Sequence, residues 1–461
     1  MYLIQRFLIL IAVLCLLAGC TAGPGNSNTA TVQPTPSPSA SPSPSPATQT
    51  ASVQVTLPLL DALLTDEKFV GQLKSKLKIT DDQVNQLKQA SSAEINRLRE
   101  SNAEDTDGNA TAARTRASEQ LHTILGDEKS KELASLVTDY WSKGDVAEGS
   151  EDKNQPKMSA GPNAVPTDTR VVVNIPAFRM DIFKDGSLVK SYKVGIGYPQ
   201  FPLPMGLRKA NQIIFNPTWT PPDSPWVATM KNAKAGETIK AGDKDNPLGP
   251  IKIPIGLPSL IHGGKSPSRI GKFASHGCVG LTTPQVKDFA VQLARASNTN
   301  EITEQSIANY LKDKERTQTV KLNHTVPVEL RYETIVLEDG KLHIYKDVYA
   351  QDTNNEENLR QVLSAQGVKL EDLSEQQRTE VLDALNAMSV NPTASPSPSP
   401  SASPEKKTAA KTKKPAKPQN EIVIDLSGVS ALAQKGYPAP VDLDTGSGIQ
   451  KSAKATKNTH H

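Results

Sequence analysis

Cysteine is scarce in this chain. Three occur in 461 residues, and two of them, Cys15 and Cys20, fall in the first twenty positions, which leaves Cys278 by itself. A lone thiol has no intramolecular disulfide partner, so a disulfide framework is excluded and the thiol itself needs an explanation. Aromatic residues make up only 4%, so much of the length is not packed core. Charge of one sign is missing too: 52 Lys and Arg against 49 Asp and Glu leave a formal net charge of +3, too near balance to argue for nucleic acid. The longest apolar run, Phe7 to Ala18, is too short to cross a bilayer as a mature helix.

Proline, by contrast, is plentiful and uneven, with 35 residues and two dense Ser/Pro segments, Pro34 to Pro46 and Pro392 to Pro404. The chain divides accordingly. Residues 1–20 read as an export signal, with Arg6 before the apolar run. The run ends in Leu17-Ala18-Gly19-Cys20, which resembles a bacterial lipobox. That resemblance implies cleavage before Cys20, a lipid on Cys20, and a membrane-anchored protein facing the periplasm, on the outer or inner membrane. Acyl chains contribute about 0.8 kcal/mol per buried CH₂, enough to anchor without a transmembrane span. Residues 21–53 are a Ser/Pro-rich tether, extended at ~3.1 Å per residue.

Residues 54–147 form a separate α-helical module: Val70, Leu73 and Leu77, then Val84, Leu87, Ile95 and Leu98, recur at helical spacing. Thr80 and Gln83 make a capping box. His122 is expected on a helix surface. A linker over 148–167 precedes a region of short alternating strands, 168–352, with Asp185-Gly186 and Asp339-Gly340 as hairpin turns and one clear helix over 284–296. This predicts a mostly β catalytic domain, a β-sandwich with one or two helices. A helical segment over 353–389, a Ser/Pro/Lys-rich linker over 390–420 and a mobile tail over 421–461 follow. The chain is α+β overall, with disordered Ser/Pro linkers.

The chemistry concentrates in Ile261-His262-Gly263-Gly264 and Ser275-His276-Gly277-Cys278-Val279. A thiol near neutral pH is only slightly ionised, so a nucleophilic cysteine needs a base or cation beside it. His276 lies two residues before Cys278 and His262 sixteen before it. If the strand ending at His262 lies beside the turn carrying Cys278, both imidazoles reach the sulfur. Gly277 then lets backbone approach a substrate, and N–H groups near Gly277 and Cys278 can hold an oxyanion. The pattern suits acyl transfer through a thioester. Zinc binding by His262, His276 and Cys278 competes, but no fourth ligand or C-x-x-C pair lies nearby. No metal and no cofactor is called for.

These residues resemble the signature of the YkuD-type L,D-transpeptidases: a histidine, a loop, then Ser-His-Gly-Cys-(Val/Ile)-Arg. Asn174 to Arg179, Gly186, Asn216 to Trp219, Asn246 to Gly249, and Asp347 to Tyr349 with Asp352 are similar to the longer branch of that family. The resemblance implies peptidoglycan tetrapeptide stems as substrate. In it, a cysteine attacks the carbonyl of the L-centre of meso-diaminopimelate and expels D-Ala. An amine then resolves the thioester, giving a 3→3 cross-link or attaching an envelope protein to the wall. Carried over, Cys278 is the nucleophile, His262 the base oriented by the Gly263 carbonyl, and His276 a supporting residue. Ser275, Arg269 and Trp219 contact substrate. The sequence departs from the pattern at Gly280, where the family has arginine. Arg269, Lys265 or Lys272 could stand in for that cation, against a reading of all three as solvated loop charge. The competing function is a weakened transpeptidase-like domain that binds peptidoglycan as a structural lipoprotein.

Overall fold

The computed structural model describes residues 55–100, 109–143, 156–222, 227, 230–256, 259–389, 420–429 and 436–446. The export signal, Cys20, the Ser/Pro tether, residues 148–155 of the linker and residues 390–419 lie outside the described residues. Among the described residues no helix is long and apolar enough to cross a membrane.

Helices come first: α1 (Leu57–Leu64), α2 (Glu67–Lys76), α3 (Asp81–Glu100), α4 (Asn109–Leu125) and α5 (Asp127–Lys143). Thr56 and Asp66 cap α1 and α2 through side-chain bonds to Leu59 and Lys68 N–H. The Thr80–Gln83 pair closes reciprocally ahead of α3. Leu60, Leu63, Phe69, Leu73, Leu87, Leu133 and Val137 form their shared core. His122 stands on the α4 surface, its Nδ1 2.6 Å from Asp127.

The strands that follow are β1 (Arg170–Asn174), β2 (Arg179–Lys184), β3 (Ser187–Lys193), β4 (Ile196–Gly197), β5 (Gly206–Phe215), β6 (Ile251–Pro254), β7 (Leu260–His262), β8 (Phe273–Ser275) and β9 (Val279–Gly280). Helices α6 (Thr283–Ala296) and α7 (Glu304–Tyr310) lead to β10 (Gln318–Arg331). One eight-stranded sheet runs β3-β2-β1-β10-β5-β6-β7-β9. Asp185 and Gly186 both take positive φ, 50° and 79°, as a two-residue hairpin requires. β5 and β10 are longer than their apolar pattern suggests, because they pair with each other along polar stretches, with a register shift between Lys321 and Val326. The main core lies on one face, where Val286, Phe289, Ala290 and Leu293 of α6 meet Val171, Val173, Ile182 and Ile253.

The opposite face near β1, β2 and β10 buries charge. Glu329 receives Arg170 at 2.5 Å and Arg331 at 2.9 Å, all three side chains at most 7% exposed. A further layer comprises β11 (Ile335–Glu338), β12 (Lys341–Tyr345), α8 (Glu356–Ala365), α9 (Glu375–Met388) and β13 (Glu421–Asp425) around Leu342, Ile344, Leu359 and Leu385. Ser374 and Gln377 cap α9.

The described part of 421–461 corrects the expectation of a mobile tail. β13 adds antiparallel to β12, pairing Leu342 with Ile424, and Ile424 and Leu426 are buried. Residues 436–446 run along β3 through Ser191 N–H to Val441 and Lys193 N–H to Asp444. Tyr437 sits beneath the Arg179 and Arg331 guanidiniums. The apolar clusters of this stretch are short because their partners come from β12, α8 and α9.

Removing one member of the buried charge cluster leaves the others uncompensated. Glu329→Ala is expected to cost about 3–5 kcal/mol, measured by urea unfolding against the unaltered chain. A loss below about 1 kcal/mol would contradict this account of the cluster.

Candidate active site

The two motif halves meet because β7 and β9 are parallel neighbours, with Ile261 opposite Val279 and His262 opposite Gly280. Ile261 and Val279 point into the core. Side chains alternate along a strand, so Leu260 and His262 share the other face with Gly280 and, one step earlier, Cys278. The ladder continues through Leu281 N–H to His262 O at 2.8 Å and Lys265 N–H to Leu281 O at 3.0 Å. On its far side, Gly280 exchanges two backbone bonds with Gly195.

Cys278 is half-buried and is a free thiol. Burial pushes its pKa up, while the Leu260 backbone N–H and the Lys265 ammonium pull it down, with a net rise. His262 is buried, and its Nδ1 lies 2.8 Å from the Gly263 carbonyl. A carbonyl only accepts, so Nδ1 carries the proton and Nε2 keeps the lone pair. Burial and the charge of Lys265 push the His262 pKa down to about 3, against the carbonyls of Gly263 and Leu248. The resting pair is therefore a thiol and a neutral imidazole. It can move a proton in step with attack on a carbonyl; it does not store an ion pair.

His276 is held edge-on to Phe201, ring centroids 4.4 Å apart, and to Tyr198 at 5.3 Å. Tyr198 N–H bonds the Ser275 carbonyl at 2.9 Å. The helical module reaches this spot: Ile95 of α3 packs with Tyr198 and Phe201. Thr56 also donates to the Gln200 carbonyl at 2.6 Å. Sequence patterning placed Ile95 in a helical core and gave no sign that it reaches the site.

Ser275, expected to contact substrate, is buried and spends its hydroxyl on backbone. It donates to the Cys278 carbonyl at 2.6 Å and accepts the Cys278 N–H at 3.0 Å. That bond engages one of the two amides expected to meet an oxyanion. Gly277 keeps φ at +93°, a conformation that favours glycine, and its carbonyl accepts from Ser259 at 2.8 Å. Arg269 is exposed at the end of the short turn Pro267–Arg269, its Nη1 3.5 Å from the Phe273 carbonyl. Trp219 is held on the loop after β5 by two backbone bonds to Ile239. The structure thus gathers Cys278, His262, Gly263, His276, Gly277 and Ser275 in one place, while Arg269 and Trp219 sit on flanking loops.

Of the three loop cations, Arg269 and Lys272 are exposed and Lys265 is half-buried. A solvated reading therefore fails for Lys265. Its stem lies over Gly280, so close that a Cβ at Gly280 would stand 2.8 Å from Cγ and 2.9 Å from Cε.

Residues 168–317 match the family model of the L,D-transpeptidase catalytic domain, YkuD. A 122-residue stretch is 30% identical to the probable L,D-transpeptidase ErfK/SrfK of Escherichia coli K12, covering 25% of this chain and 38% of that protein. The chain thus spans well under half of this curated relative. Among solved structures, the catalytic domain of the E. faecium L,D-transpeptidase aligns with 36% of this chain and 98% of its own, at 17% identity and a TM-score of 0.23. An L,D-transpeptidase from Mycobacterium smegmatis aligns with 36% of this chain and 58% of its own, at 16% identity and a TM-score of 0.22.

Because the imidazole stays neutral in the fold and protonates below about 6.5 in the unfolded chain, its contribution to stability falls as pH drops from about 6.5 towards 3 and is constant above 6.5. An NMR titration, assigned with His262→Gln, is expected to show no His262 midpoint between pH 5 and 8. A midpoint near 6.5 would contradict the buried, neutral imidazole.

Proposed function

We propose, from the match of residues 168–317 to the YkuD L,D-transpeptidase catalytic-domain model, that the protein is a thiol transpeptidase acting on the tetrapeptide stems of peptidoglycan. The observation that carries the reading is the β7–β9 pairing, which sets the buried, Gly263-oriented His262 on the face that Cys278 occupies.

In the proposed reaction Nε2 of His262 takes the Cys278 proton as the sulfur bonds to the carbonyl carbon of the diaminopimelate L-centre. The carbonyl π pair moves onto oxygen, where backbone N–H groups about Gly277 meet it. Collapse of this intermediate breaks the C–N bond to D-Ala, whose amine takes the proton from the imidazolium. The thioester that remains is opened by an incoming amine, which loses its proton to His262 while the sulfur leaves and is reprotonated. A diaminopimelate side-chain amine gives a 3→3 cross-link; an amine on an envelope protein attaches that protein to the wall. No metal or other cofactor takes part in this scheme. Anchoring through lipid on Cys20, with the domain facing the periplasm, belongs to the same proposal and rests on the Leu17 to Cys20 pattern.

Incubation with a carbapenem, which acylates a nucleophilic thiol of this kind, is expected to give one adduct by mass spectrometry, on Cys278. Cys278→Ala is expected to remove it, and His262→Ala to slow acylation about 10²–10⁴-fold, more than His276→Ala. Folded protein without an adduct would rule out Cys278 as nucleophile, and a larger loss at His276 would reverse the assignment of the base.

A further inference from the structure

The position two residues after the thiol is glycine, and its empty face is filled from elsewhere in the chain. Lys265 is brought there by the backbone. Its N–H bonds the Leu281 carbonyl directly after β9, so its side chain starts beside β9 and runs back over Gly280. Cγ, Cδ and Cε would lie 2.8, 3.3 and 2.9 Å from a Cβ at Gly280. Any larger residue at 280 must displace this lysine, so Gly280 and Lys265 fit as a pair. We propose that Lys265 is the positioning cation of this site, its ammonium supporting the negative charge that the Cys278 sulfur carries during attack, with Gly280 required to let it lie there. This rests on Cys278 being the nucleophile.

The charged and titratable groups around this point support the assignment. Lys265 acts on Cys278 in the direction that favours thiolate, and burial disfavours its own charge. From β7, His262 is held neutral, Lys265 and Lys252 of β6 both acting against its protonation. Arg269 opposes the Lys265 charge from the loop. His276, two residues before the thiol, faces Tyr198 and Phe201. A lysine stem filling an apolar gap without electrostatic effect is the alternative, and it makes a different forecast.

The test is the pH dependence of iodoacetamide labelling on the whole chain, read by mass spectrometry on the peptide that carries Cys278, with melting temperature recorded for every variant. Lys265→Met is expected to raise the labelling midpoint by about one pH unit and Lys265→Arg to restore it. Removing Lys265 also frees His262 to protonate, which would offset the rise, so the pair is repeated in a His262→Gln background, where the rise should be at least as large. Gly280→Ala is expected to shift the midpoint in the same direction by displacing the lysine, and to add nothing once Lys265 is Met. Superimposable profiles for Lys265→Met and the unaltered chain in both backgrounds would overturn the role of Lys265 alone. A Cys278 unlabelled at every pH would overturn the nucleophile assignment together with it.

Discussion

The parallel pairing of β7 with β9 is the constraint on which the site depends. It joins two short segments by one register, Ile261 to Val279 and His262 to Gly280. A slip of one residue would turn His262 into the core and Ile261 toward the thiol. The register is pinned on both flanks. Ile261 and Val279 are fully buried, Gly280 is bonded twice to Gly195, and α6 begins immediately afterwards at its Thr282 cap. Gln285 closes that cap and ties it to the carbonyls of Lys193 and Asp444. The C-terminal residues near 444 therefore belong to the support of the segment that carries Cys278.

The electrostatics follow from the same burial. Withdrawing the imidazole and the thiol from water penalises the charged form of each, so the pair rests neutral. The Gly263 carbonyl then selects the tautomer, a role that a carboxylate side chain takes in the Ser-His-Asp triad. A neutral carbonyl orients the ring without adding negative charge beside the sulfur. Lys265 opposes burial at the thiol, favouring thiolate, and acts with burial and Lys252 at the imidazole, disfavouring imidazolium.

Much of this was legible in the sequence. The hairpins at Asp185-Gly186 and Asp339-Gly340, the capping box at Thr80, and the helix α6 all rest on local chemistry, and local patterning reads them. The closeness of His262 to Cys278 was legible only as a conditional, since it depends on a parallel pairing that no local signal specifies. The C-terminal strand was invisible because Ile422 and Ile424 bury against β12 and the helices, not against near neighbours. The stacking of Ile95 on the Tyr198–Phe201 loop was hidden for a similar reason: an apolar helix position does not say which surface covers it. At Gly280 the sequence displayed a missing cation, and only the fold showed which side chain had moved into the gap.

The most direct measurement of the central claim is a muropeptide profile of peptidoglycan rich in tetrapeptide stems after incubation with the purified protein. The account predicts new 3→3 linked dimers with release of D-Ala, absent with Cys278→Ala. Sacculus binding that persists in Cys278→Ala, with no new muropeptides formed by the unaltered chain, would contradict it and leave a wall-binding scaffold in its place.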